Sequence, residues 1–159
     1  MQLNHPYHTH PAARAVFRHA IATLGHRFGV AVGHAPEGFS DYLACPGTRS
    51  PGQVLAHVNV LLEFSANVVR GIRERPEEAS LVWDQAVRRF YQLLRDLDDA
   101  VVAAAESEFP LEMLLQGPVA DALTHVGQLT MLRRMAGAPV QTESYMKARI
   151  QAGVFEPPL

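Results

Sequence analysis

Ser50-Pro51-Gly52-Gln53-Val54-Leu55-Ala56-His57-Val58-Asn59-Val60-Leu61-Leu62 decides how the rest of the chain is read. Serine at an N-cap accepts a backbone N–H of the first turn. Proline at the next position loses nothing, because its missing N–H has no partner there. Gln53, three residues after the serine, completes a capping box. The spacing that follows puts Val54, His57, Val58, Leu61, Leu62, Ser65 and Val68 on one broad face, and Gly71 marks the end. A helix with one apolar face must bury it, so the search moves outward for elements of the same kind.

Upstream, a first helix is predicted from about Pro11 to Val30, with Val16, Ala20, Leu24 and Phe28 inward and Gly29 and Gly33 ending it. Residues 31–49 read as a long connection. Downstream, the charged segment Arg73 to Glu78 leads to a third helix, with Ser80 as a possible N-cap. Val82, Ala86, Phe90, Leu93, Leu94, Leu97 and Val101 sustain its period to about Ala105. A fourth helix begins between Leu111 and Val119 and reaches Ala136, where Gly137 and Pro139 stop it. Its apolar residues spread around the circumference, which predicts heavy burial. A short amphipathic segment, Glu143 to Gln151, follows. No stretch alternates with period two. The fold class expected is all-α, a four-helix bundle with a short C-terminal helix, in one domain spanning residues 1–159.

Composition narrows the function classes. The net charge is −2 with acids and bases interspersed, which argues against nucleic-acid binding. No apolar run approaches the roughly 18–20 residues that cross a bilayer. The single cysteine, Cys45, has no internal partner and no basic neighbour in sequence that would activate it. A cytoplasmic location is the expectation. Eight histidines are unusual for this length; His5, His8 and His10 fall in a polar N-terminal stretch, residues 1–10, read as flexible.

Asp121 and His125 lie four residues apart on the fourth helix, so both side chains share one face. Within an apolar helix they are either a hydrogen-bonded couple or two ligands of one ion. His57 sits on the inward face of the second helix, as a satisfied core histidine or as a third ligand. Two histidines and a carboxylate from two helices suit Zn²⁺, Ni²⁺ or Fe²⁺ and leave coordination positions open. Gln128, one turn beyond His125, is placed to orient a ligand or water, or to serve only packing or the surface. Glu63 reads as a solvated residue facing away. Trp83, Tyr42 and Phe39 read as core, or as the mouth of a pocket.

The Ser50–Val58 motif resembles the second-helix motif of DinB-like proteins. Asp121-Ala122-Leu123-Thr124-His125-Val126-Gly127-Gln128-Leu129 is similar to that family's later motif, a ligand pair four apart followed by Gly-Gln-Leu. Leu132-Arg133-Arg134-Met135-Ala136-Gly137 and Tyr145-Met146-Lys147-Ala148-Arg149-Ile150-Gln151-Ala152-Gly153 fit as well. The resemblance implies an up-down-down-up helix order with a crossover between helices two and three. It implies a divalent metal on His57, Asp121 and His125, where many DinB-like proteins carry histidine at the aspartate position. It further implies a metal-dependent enzyme, such as a transferase acting with a low-molecular-weight thiol, or a hydrolase; a homodimer is also expected. The alternative is a non-catalytic, stress-associated binding protein or a dimeric interaction module with a degenerate site.

Overall fold

The Ser50 start forms as its residues dictate. In a computed structural model, which describes residues 11–104 and 110–157, the Gln53 N–H donates to Ser50 Oγ at 3.3 Å. The Ser50 N–H donates back to Gln53 Oε1 at 2.9 Å. This box launches α2, Pro51–Val69. The other helices are α1, Pro11–Val32; α3, Trp83–Ala103; a short α4, Leu111–Leu114; and α5, Ala120–Met135. Among the described residues there is no strand, and four helices have 16 residues or more.

Helix α1 is rotated from the expected orientation. Phe17, Ile21, Leu24 and Phe28 are buried, whereas Val16 is 61 % exposed. Both stripes share Leu24 and Phe28, so periodicity alone does not separate them. Tertiary partners do: Arg18 forks onto Asp98 of α3 with two bonds of 2.7 Å, and Arg14 donates to the carbonyls of Val101 and Ala104. Gly29 does not end the helix. A Cβ there would lie 2.8 Å from the Tyr91 hydroxyl, and one at Gly25 would lie 2.9 Å from Leu94 Cδ1. These glycines let α1 and α3 approach closely, with Phe28 and Phe90 stacked at 3.7 Å between ring centres.

Helices α2 and α3 run side by side in the same direction. Asn59 Nδ2 donates to Ala86 O at 3.1 Å, Arg89 pairs with Glu63 at 3.0 Å, and Arg70 donates to Asp96 O at 3.0 Å. The register rises together on both helices. The connection 70–82, which holds no helix or strand, must therefore travel back along α2, about 28 Å at 1.5 Å per residue. Ser80 does not cap α3. Val82 occupies the N-cap without a side-chain bond, and Trp83 packs edge-on against Phe39 at 5.7 Å. Phe39 is buried and Trp83 partly so, so both serve the core.

The expected fourth helix is continuous from Leu111 but not uniform. Pro118 cannot donate to the preceding turn, and residues Leu115–Val119 widen into a π-helical turn. The heavy burial predicted for α5 is not found. Ala122, His125, Val126, Leu129, Leu132 and Arg133 face inward, while Asp121, Thr124, Gly127, Gln128, Met131 and Met135 are exposed. The expected short C-terminal helix is a single 3-10 turn, Tyr145–Lys147. A short isolated helix is marginal in water. Here the extended chain lets Glu143 reach His26, puts Tyr145 under Arg27, and buries Phe155. No helix among the described residues is long and apolar enough to cross a membrane.

Candidate metal centre

Helix geometry delivers Asp121 and His125 one turn apart on α5, and α2 brings His57 opposite them. The three offer ligand atoms that all lie within 4.8 Å of one another. Asp121 Oδ2 is 3.4 Å from His57 Nε2, and Asp121 Oδ1 is 3.5 Å from His125 Nε2. The imidazoles meet edge to face, 4.8 Å between centres and 80° apart. Burial is graded: the side chains of His125, His57 and Asp121 are 11 %, 23 % and 48 % exposed. The cluster thus sits at the rim of the α2–α5 seam, open on the aspartate side.

The protons can be placed from the neighbours. Gln128 Oε1 lies 2.8 Å from His125 Nδ1. An amide oxygen only accepts, so Nδ1 carries the hydrogen, and in the neutral ring Nε2 is a bare lone pair. That lone pair faces a carboxylate oxygen. Two acceptors in this relationship call for a cation between them, either a proton or a metal ion. A charge-assisted N–H···O⁻ bond is about 2.7–2.9 Å long, shorter than both contacts here. Ligands at about 2.0–2.2 Å from a tetrahedral ion stand roughly 3.3–3.6 Å apart; both contacts fall in that range, one through each oxygen of Asp121, and the three ligand atoms lie within 4.8 Å of one another. One carboxylate and two imidazoles are a donor set for a borderline divalent ion.

The other residues singled out in the sequence fall elsewhere. Glu63 faces α3, paired with Arg89. Cys45 is an exposed thiol in the loop before α2. His5, His8 and His10 lie outside the described residues. A groove of about 900 Å³ runs between α1 and residues 139–157, floored in part by Gly25, Gly29 and Tyr91, and includes none of the triad. One neighbour of the triad escapes the sequence reading: Glu78, whose Oε1 is 3.8 Å from His57 Nδ1. Only its place in a charged run marks it, and that pattern says nothing about which residue turns toward α2.

No family model, curated protein or solved structure matches the chain.

Proposed function

We propose that this chain is a DinB-like metalloprotein, an up-down-down-up four-helix bundle in which His57, Asp121 and His125 hold a divalent ion for catalysis on a small molecule. The observation that carries the reading is Asp121 standing between two imidazoles, 3.4 Å from His57 Nε2 and 3.5 Å from His125 Nε2. The parallel run of α2 and α3 supports the helix order, because it requires a crossover connection.

Each residue has a defined task. His57 and His125 present Nε2 as neutral ligands. Asp121 supplies a negative charge that offsets part of the ion's charge at the exposed rim. Gln128 holds the Nδ1 proton of His125 and so fixes which nitrogen faces the site. Zinc, nickel or iron in this set would act as a Lewis acid, lowering the pKa of a bound thiol or water at its open positions. The substrate class in this reading is a low-molecular-weight thiol, and the reaction a thiol-dependent transfer. A second reading, a dimeric non-catalytic binding protein, draws support from Met131 and Met135, which are 56 % and 53 % exposed on α5.

Metal analysis tests the proposal directly. Purified protein titrated with Zn²⁺ is expected to take up one equivalent, and His57→Ala or His125→Ala to lose it. Cobalt-loaded protein is then expected to develop sulfur-to-metal charge-transfer absorption when a small thiol is added. Absence of metal uptake by the unaltered protein would remove the metalloprotein reading, and uptake without a thiol response would leave only the binding reading.

A further inference from the structure

The two histidines of the centre differ in how their outer nitrogens are held. His125 receives its acceptor from its own helix, three residues on, at 2.8 Å. His57 cannot. The positions one turn either side of it on α2 are Val54, Val60 and Leu61, which carry no acceptor, and Gln53, whose side-chain oxygen already accepts the Ser50 N–H. A protein acceptor for His57 Nδ1 has to come from another part of the chain. The connection 70–82 travels back along α2 and brings Glu78 Oε1 to 3.8 Å from that nitrogen.

We infer that Glu78 is a positioning residue for the metal centre: its carboxylate accepts a hydrogen bond from Nδ1–H of His57 and turns Nε2 toward Asp121 and the ion. This rests on the metal reading of the triad. The separation is an ion-pair distance, longer than a hydrogen bond, and the glutamate side chain is 55 % exposed. Rotation about the glutamate's own bonds is enough to bring the acceptor onto the ring without moving α2. Carboxylate–histidine–metal relays of this kind fix the tautomer and raise the basicity of the ligating nitrogen. In this arrangement Gln128 and Glu78 do the same task on opposite sides, one with a neutral amide and one with a charge. His57 becomes the stronger of the two imidazole donors. The assignment also gives the extended α2–α3 connection a part in the centre, since it delivers the residue that α2 lacks.

The test compares Zn²⁺ affinity, by competition with a chromophoric chelator, for the unaltered protein, Glu78→Ala, Glu78→Gln and His57→Ala. Glu78→Ala is expected to bind about 10-fold or more weakly, with the metal-free melting temperature unchanged. Glu78→Gln, which keeps an acceptor oxygen and loses the charge, is expected to recover part of that loss. Nitrogen chemical shifts of the histidine rings in metal-free protein give a second readout: Glu78→Ala should alter the His57 tautomer signals and leave those of His125. Unaltered affinity in Glu78→Ala, with His57→Ala abolishing binding, would overturn the role of Glu78 while the triad stands. Equal losses in the alanine and glutamine variants would also overturn it, because charge alone would then act. Failure of the unaltered protein to bind Zn²⁺ would remove the triad reading and this inference together.

Discussion

His125 Nδ1 lies 2.8 Å from Gln128 Oε1, an oxygen that can only accept, and Nε2 of the same ring faces Asp121 Oδ1 at 3.5 Å. Gln128 is exposed and makes its contact within one helix, so it adds little to the fold. Gln128→Leu is expected to weaken Zn²⁺ binding about 10-fold while moving the metal-free melting temperature by no more than a degree or two. Gln128→Glu keeps an acceptor and should bind at least as tightly as the unaltered protein. Isothermal titration beside thermal denaturation separates the two effects, and equal affinity in the leucine variant would show that the bond does not orient the ring.

Asp121 stands between both imidazoles, so removing it affects the centre from two sides. Asp121→Ala should lose stoichiometric Zn²⁺. Asp121→His keeps a ligand of matching reach and removes a negative charge. It should retain Zn²⁺ but discriminate more strongly against oxygen-preferring Mn²⁺, since an all-imidazole set favours the borderline metals. Competition of Zn²⁺ against Mn²⁺ in the two proteins measures this, and an unchanged ratio would show that the carboxylate is not a ligand.

The parts of this structure that the sequence made legible are those set by contacts within a turn or two. The Ser50–Gln53 capping box and the Asp121–His125 pair are both of this kind, and α3 buries every predicted apolar position except Val82. What was not legible depends on a partner far along the chain. Two overlapping stripes fit α1, and the Arg18–Asp98 ion pair selects the one containing Phe17. Gly29 reads as a helix end until Tyr91 is seen lying against it. Glu78 reaches His57 only because α2 and α3 run parallel and the chain must return between them. The exposed face of α5 was misjudged because Ala122, Leu129 and Leu132 spread around the helix circumference, and spread alone does not reveal how few neighbours cover it.

Arg133 is 4 % exposed and donates to four carbonyls, those of Ala31 in the last turn of α1, of Gly33 and His34 just after it, and of Ala138. Burial pulls its guanidinium below the usual arginine range, an electrostatic cost offset by these bonds. Arg133→Met keeps much of the side-chain volume and leaves the carbonyls without their donor. The expected loss is about 3 kcal/mol, at the level of hydrogen bonds to a charged group. Urea denaturation should show an earlier midpoint with an unchanged slope; an unshifted midpoint would mean that water replaces the guanidinium without loss.

Gly29 packs against Tyr91, and the two should be coupled. Alanine favours a helix interior by about 1 kcal/mol over glycine, but its methyl would sit 2.8 Å from the Tyr91 hydroxyl oxygen. Overpacking of this kind costs about 1–3 kcal/mol. Gly29→Ala is therefore expected to destabilise the protein, and to do so less in a Tyr91→Phe background, where the obstructing oxygen is gone. A double-mutant cycle reads the coupling directly. Additive effects would show that the helices separate freely at this point.

Tyr91 also sets a pH dependence. The side chain is buried, its hydroxyl donates to Gly25 O at 3.3 Å, and burial raises its pKa well above the usual phenol value. In the unfolded chain the phenol ionises near pH 10. Below that pH both states hold the proton, and the group contributes no slope. Above it the unfolded state releases the proton while the folded state keeps it, so the unfolded state is favoured and stability falls with rising pH. Tyr91→Phe removes this term and also the hydrogen bond, which contributes about 1 kcal/mol. The unaltered protein should be the more stable of the two at pH 8. The gap should shrink above about pH 10, by up to roughly 1.4 kcal/mol per pH unit. The remaining tyrosines are common to both proteins and cancel in the comparison. Urea denaturation of the pair between pH 8 and pH 11 measures the gap, and parallel curves throughout would show that Tyr91 ionises as readily in the folded protein as in the unfolded chain.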